Sequence, residues 1–186
     1  MDATKEVISK KAIELFQRDG FDNVAIQTIC DECGVTRNAF YYHYKNKQDL
    51  LMDYCEQMVE GDSDLFREMM TLPTDWDRFW FMCEYNLKLM MEMGRELTRQ
   101  YLSANLQTMD GFIANNKLSQ DWCIPLLSNC QKNGTIGNPM EPAELDKYCI
   151  RMLLGFMLSW SLDEDFTDLI PACKTALETF LQVREN

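Results

Sequence analysis

Apolar residues recur at helical spacing along almost the whole chain, and no stretch alternates as a strand would. Between about Thr4 and Asp19, the positions Ile8, Ala12, Leu15 and Phe16 form one inner face. Gly20 ends that helix and Phe21 folds back on its last turn. Ile26, Ile29, Cys30 and Cys33 then make the single stripe of a second helix. A third, shorter element follows the turn Gly34-Val35-Thr36. Thr36 is a suitable N-cap, and Phe40 and Tyr44 lie four apart, able to face inward together. Arg37, Asn38, Tyr41, Tyr42 and His43 carry polar tips that face out, more than a buried helix needs. A helix that touches phosphates and base edges does need them.

The pattern continues with a fourth helix bearing Leu50, Leu51, Tyr54 and Met58, capped by Asn46 and with Asp49 in its first turn. Gly61-Asp62-Ser63-Asp64 interrupts it, and Thr71-Leu72-Pro73-Thr74 is a second break. Asp75 to Met93 is apolar on most sides and so predicts the central helix of its domain, ending at Gly94. A helix over roughly Arg95 to Leu106 and a loop over Thr108 to Lys117 follow. Ser119 then caps a helix reaching Gly134, kinked at Pro125. Thr135 to Pro142 is a connection, and two apolar helices, about Ala143–Leu162 and Asp165–Arg184, close the chain. The expected fold is all-α, with a helix-turn-helix domain at residues 1–48 and a helical ligand-binding and dimerisation domain at 49–186.

Residues 8 to 50 resemble the DNA-binding domain of the tetracycline-repressor (TetR) family. The matching pieces are Ala12-Ile13-Glu14-Leu15-Phe16, Gly20-Phe21, Ile26-Gln27-Thr28-Ile29-Cys30, Gly34-Val35-Thr36, Phe40-Tyr41-Tyr42-His43-Tyr44, and Lys47 with Leu50. Two positions depart. Ala25 stands where the family usually has a Ser or Thr cap, and Asn38 where a Gly is common. The resemblance implies that Thr36, Arg37, Asn38, Tyr41, Tyr42, His43 and Lys47 contact double-stranded DNA. Arg37 and Asn38 suit base readout, and Tyr41, Tyr42, His43 and Lys47 match backbone-contacting positions. It also implies a homodimer reading a pseudo-palindrome, pairing through the last two helices, and a small-molecule effector in the C-terminal domain.

Charge seems at first to oppose this reading, since the chain of 186 residues carries −12. The first 50 residues hold 7 Lys/Arg against 8 Asp/Glu, and the remaining residues hold 11 against 22. The acid therefore sits away from the proposed DNA face, where Arg37, Lys45 and Lys47 cluster. The general repulsion predicts weak non-specific binding and strong salt sensitivity. Lys5, Lys10 and Lys11 read either as solvated lysines or as approaches to phosphate. The eight cysteines fall mainly on apolar stripes and read as free thiols of a cytoplasmic protein. Cys30-x-x-Cys33 has no second pair to complete a metal site, and the chain has one histidine, His43. No nucleophile, base and oxyanion donors converge, so the chain is not expected to be an enzyme, and no cofactor or metal is expected. There is no leader-like apolar run at the N-terminus and no run long enough to span a bilayer.

Aromatic rings are abundant beyond residue 75, and the expected ligand-binding set is Trp80, Tyr85, Tyr101, Trp122, Met152, Phe156 and Trp160, with Met90 beside them. Glu84 and Glu92 lie on the same helix, which favours an aromatic, apolar or cationic ligand. A packed core without a cavity is the alternative for these rings. The function expected is a sequence-specific transcriptional regulator, a repressor released by a small apolar or aromatic ligand. The alternative is an acidic helical interaction module that has lost specific DNA binding.

Overall fold

The computed structural model describes residues 3–60, 63–106 and 117–184. The break at Gly61-Asp62 and the loop expected over 108–116 lie outside them. The described residues are helical apart from turns and one isolated antiparallel bridge, Ile136 with Val183. The all-α expectation holds.

The first three helices are α1 (Ala3–Asp19), α2 (Ile26–Cys33) and α3 (Arg37–His43). Ile8, Ala12, Leu15, Phe16, Ile29, Cys30 and Phe40 are all buried, so the stripes read from the sequence are the core of this unit. Gly34 adopts φ 65°, ψ 29°, the left-handed geometry that closes α2, and the Val35 N–H returns to the Cys30 carbonyl at 2.9 Å. The Thr36 hydroxyl accepts from the Ala39 N–H at 3.2 Å. Ala25 makes no side-chain cap for α2. α4 (Lys47–Glu60) opens with a reciprocal cap. The Asp49 N–H donates to Asn46 Oδ1 at 2.7 Å, and the Lys45 N–H to Asp49 Oδ2 at 2.9 Å.

α5 (Ser63–Thr71), α6 (Asp75–Met93) and α7 (Arg95–Leu106) follow. α6 buries Trp76, Phe79, Trp80, Met82, Cys83, Leu87, Leu89, Met90 and Met93 over one wide face, leaving Lys88, Met91 and Glu92 exposed on the other side. It packs against α5, α7, α8 (Ile124–Lys132), α9 (Pro142–Leu162) and α10 (Leu169–Leu181) and is the axis of the larger unit.

Two elements differ from expectation. Ser119 does not start a helix; residues 117 and 118 are already helical, and Ser119–Cys123 is a π-turn leading into α8. The Ile124 N–H bonds five residues back to Ser119. Pro125 has no N–H to continue an α ladder, and the widened turn accommodates its ring. The last helix is shorter than expected at both ends. Beginning it at Asp165 would place Pro171 in the helix interior, whereas starting at Leu169 leaves Pro171 in the first turn, where no N–H is needed. The residues before it form a turn whose carbonyls at Asp163, Glu164 and Phe166 accept from the Arg95 guanidinium. At the other end Gln182 turns left-handed, and Arg184 donates its N–H to the Thr135 carbonyl at 2.9 Å.

Lys47 is placed differently from the sequence reading. It does not point outward as a phosphate contact. Its ammonium turns inward, donating to the carbonyls of Phe21 (2.5 Å) and Val24 (2.9 Å) and lying 4.6 Å from the Phe21 ring centroid. Burial lowers its pKa. The carbonyls of the α1–α2 corner lack helical partners, and a cation from the first turn of α4 satisfies two of them. Lys47→Ala should therefore cost about 1–2 kcal/mol of stability in the absence of DNA, a fall of roughly 2–8 °C in melting temperature. Thermal unfolding of the free variant checks this, and an unchanged melting temperature would leave Lys47 as a DNA contact alone.

Candidate functional site

Two places in the fold gather functional side chains. The first is the outer face of α3. Phe40 is fully buried, and Tyr44, at the C-cap, is 2% exposed. The Tyr44 hydroxyl donates to Asp53 Oδ2 at 3.1 Å, and the Lys5 ammonium lies over its ring and bonds the same carboxylate. Burial and the Asp53 charge push the Tyr44 phenol well above its usual range. This inner face fixes the helix, and its other face is presented to solvent. Thr36, Arg37, Asn38, Tyr41 and Tyr42 are exposed, Tyr42 by 83%. The Arg37 guanidinium reaches the Tyr41 hydroxyl at 3.4 Å and lies 5.8 Å from its ring centroid. His43 is half-buried, its ring edge-on to Tyr42 at 4.9 Å. Five of the seven residues expected at a nucleic-acid interface are thus exposed together, with His43 half-buried beside them and the Lys47 ammonium turned inward. The α1 lysines are held by acids: Lys10 pairs with Glu6, Lys11 with Glu14 and Lys5 with Asp53.

The second place is a cavity of about 90 Å³ among α6, α7, the π-turn and α9. Phe79, Met82, Cys83, Asn86 and Met90 line it from α6, and Tyr101 from α7. Leu118, Ser119 and Cys123 line it from the π-turn side, and Asp146, Cys149, Ile150, Leu153, Leu154 and Met157 from α9. Of the expected ligand set only Tyr101 lines it, with Met90 beside it. The other six do not. Trp80 faces α10, with the Lys174 ammonium 5.7 Å from its ring centroid. Tyr85 points to α4, its hydroxyl donating to the Met58 carbonyl at 3.0 Å. Trp122 stacks on Phe66 at 5.2 Å and Phe156 lies 6.4 Å from Phe166. Trp160 lies under the Arg95 guanidinium at 4.5 Å, and Met152 is a half-buried member of the packing on α9. Large rings fill the joints between helices, and the space left over is walled mostly by Met, Leu and Cys.

The carboxylate at the cavity is not the expected Glu84 or Glu92. Glu84 pairs with Lys88, and Glu92 is exposed. Asp146, 3% exposed, stands on the wall instead, hydrogen-bonded to Ser119. Burial raises its pKa to about 6. The sequence held a signal for it. Asp146, Cys149, Ile150, Leu153 and Met157 recur at helical spacing, one acid on an otherwise apolar stripe. Desolvation also pushes the thiols of Cys83, Cys123 and Cys149 well above their usual range, so they stay protonated. Cys30 is buried beside a half-buried Cys33, and no cluster of metal-ligating side chains occurs among the described residues.

The two places are mechanically joined. α6 and α7 both wall the cavity, and both hold the far end of α1. The Phe21 N–H donates to Glu96 Oε1 at 2.8 Å, and Gln17 Nε2 donates to the Glu92 carbonyl at 3.0 Å.

Residues 8–53 match the profile of bacterial regulatory proteins of the tetR family. Over those residues the chain is similar to the tetR family. Among curated relatives, an uncharacterized HTH-type transcriptional regulator, YerO of Bacillus subtilis, is 44% identical over 59 residues, 32% of this chain and 20% of the relative. An HTH-type transcriptional regulator of Staphylococcus aureus is 31% identical over 62 residues, 33% of this chain and 31% of its own. The match thus spans only a fifth to a third of these relatives' length. Likeness of fold covers nearly everything. The TetR-family repressor FadR of Thermus thermophilus, solved with lauroyl-CoA, aligns with a TM-score of 0.72 at 19% identity, over 98% of this chain and 97% of that one. A TetR-family regulator of Pectobacterium atrosepticum aligns with a TM-score of 0.69 at 24% identity, over 97% and 93%. The matched residues, 8–53, include the whole of α3 and its exposed face. No described helix is long and apolar enough to cross a membrane.

The raised Asp146 pKa has a measurable consequence. A carboxyl whose folded pKa lies above its unfolded value destabilises the fold once ionised. That cost is absent below the usual Asp range, grows as pH rises towards about 6, and is constant above. Asp146→Asn should therefore stabilise the protein by roughly 2–3 kcal/mol near neutral pH, the gain shrinking toward zero near pH 4. Paired unfolding curves at the two pH values check it, and an equal difference at both would mean that Asp146 does not titrate with folding.

Proposed function

We propose that this chain is a homodimeric transcriptional repressor of the tetR family. It binds a pseudo-palindromic double-stranded operator through α3 and is released when a small, largely apolar molecule enters the cavity of the larger unit. The carrying observation is the two-sidedness of α3. Phe40 and Tyr44 are buried beneath it while Thr36, Arg37, Asn38, Tyr41 and Tyr42 remain exposed together. In a two-fold dimer, two such helices about 34–36 Å apart enter successive major grooves. Arg37 then reads guanine, Asn38 reads adenine, and Tyr41, Tyr42 and His43 reach the backbone.

Release follows from the joint at α1. Phe21 and Gln17 are held by Glu96 and Glu92, on the two helices that also wall the cavity. A ligand that binds the cavity better when these helices shift will bias the placement of both α3 helices. That the related FadR was solved with lauroyl-CoA supports an effector reading of this domain. For the dimer, α9 offers Tyr148, Leu158 and Leu162 on its outer surface, exposed by 44%, 44% and 66%, with Gly155 opening space between them. A second copy covering this stripe forms an isologous contact with the paired α10 helices.

Arg37→Ala should weaken binding to the preferred DNA by roughly 1–3 kcal/mol while leaving scrambled DNA nearly unchanged. Gel shifts with the DNA upstream of its own gene measure this, and equal loss on both DNAs would make Arg37 a phosphate contact. Leu158→Asp should turn a dimer in sedimentation into a folded monomer that no longer shifts the operator. A wild-type monomer at micromolar concentration would sink the dimer.

A further inference from the structure

Among the described residues, the cavity wall carries one formal charge and no cation to balance it. Asp146 lines the space at 3% exposure, and no Lys, Arg or His is among the lining residues. Its recorded protein partner is the Ser119 hydroxyl. A buried carboxylate held by one hydroxyl is costly to a fold that gains nothing from it. The rest of the wall is apolar apart from Asn86, whose amide is committed to the Met82 carbonyl at 2.9 Å, and the Tyr101 phenol. At about 90 Å³ the space is smaller than the roughly 150 Å³ that admits a benzene ring, so its occupant is slim.

We propose that Asp146 anchors an alkylammonium ligand, the carboxylate accepting the ammonium N–H bonds while Met82, Met90, Leu153 and Met157 take the alkyl chain. This rests on the reading of the cavity as the effector site and narrows it to a chemical class. An anionic ligand would meet a buried like charge with no cation to offset it. A neutral alcohol would leave the carboxylate without its counter-charge. The titratable groups facing Asp146 are Cys83 on α6, Cys123 on the π-turn, Cys149 on α9 and Tyr101 on α7. All four have raised pKa values and stay neutral near pH 6, so Asp146 alone changes charge there. The amine stays protonated throughout.

Calorimetric titration of the full-length protein with n-butylamine, 1-butanol and butyrate tests this. The amine should bind at least ~10-fold more tightly than the alcohol, and butyrate should not bind. Affinity for the amine should fall about tenfold from pH 7 to pH 5, as the carboxyl is protonated. Asp146→Asn keeps the shape and the Ser119 bond, and its unfolding curve verifies that it folds. It should reverse the order of amine and alcohol. Amine affinity unchanged in Asp146→Asn, no pH dependence, butyrate bound as tightly as amine, or no binding of any of the three would each overturn the assignment. A parallel gel shift separates this from the release reading. If butanol or butyrate binds better and frees the DNA, the amine class falls and the effector cavity stands. If the amine binds as expected and the DNA complex is unmoved, the amine class stands and release falls.

Discussion

The wide buried face of α6 is the constraint on which the rest of the molecule depends. A helix with Trp76, Phe79, Met82, Leu87, Leu89 and Met93 on one wide apolar face leaves only the strip at Lys88, Met91 and Glu92 to solvent, so other helices must cover the rest. α5, α7, α8, α9 and α10 do so, and the joints between them take the large rings. Close packing of six helices with unequal side chains leaves a gap where α6 presents Phe79, Met82, Cys83, Asn86 and Met90. The cavity is in this sense a product of how α6 is enclosed. Because α6 also ends against α1 through the Glu92 carbonyl, what happens in the gap has a direct route to the helix-turn-helix.

The small N-terminal unit solves a different problem. It must hold a seven-residue helix rigid while exposing most of its polar tips. A helix this short is not stable alone. Its rigidity comes from Phe40 and Tyr44 beneath, from the Thr36 cap in front, and from Asp53, which takes both the Tyr44 hydroxyl and the Lys5 ammonium. Lys47 serves the same end from the α1–α2 corner. Lys5 and Lys47 are thus held within the unit, while Lys10, Lys11 and Arg18 pair with neighbouring acids on its surface. Arg37 and Lys45 remain near the presenting face of a chain with net charge −12, and specificity carried by a few well-held contacts suits that balance.

Among the described residues, Asp146 is where the larger unit departs from the rule that buried charge is paired. Its cost falls on the same wall as the gap, and the π-turn that brings Ser119 to it exists because Pro125 cannot continue an α-helix. A local backbone rule and a buried acid thus meet at one spot, on helices that reach the DNA-binding unit.

The sequence by itself determined most of the elements, the turn and the presenting face of α3. Period, caps and glycines act within a few residues, and Phe40, Tyr44, Thr36 and Gly34 behave as their spacing requires. It also contained the acid on the α9 stripe, obscured by the large excess of acid around it. The tertiary structure decided which side chains meet. Lys47 looked like an exposed cation at a helix start, and only the approach of the α1–α2 corner gave it carbonyls to bind. Trp80, Tyr85, Trp122 and Trp160 looked like a pocket because ring content marks burial, but a large buried ring fills space. Whether a gap remains, and which residues border it, depends on how helices distant in sequence pack, and no periodicity along one helix contains that distance.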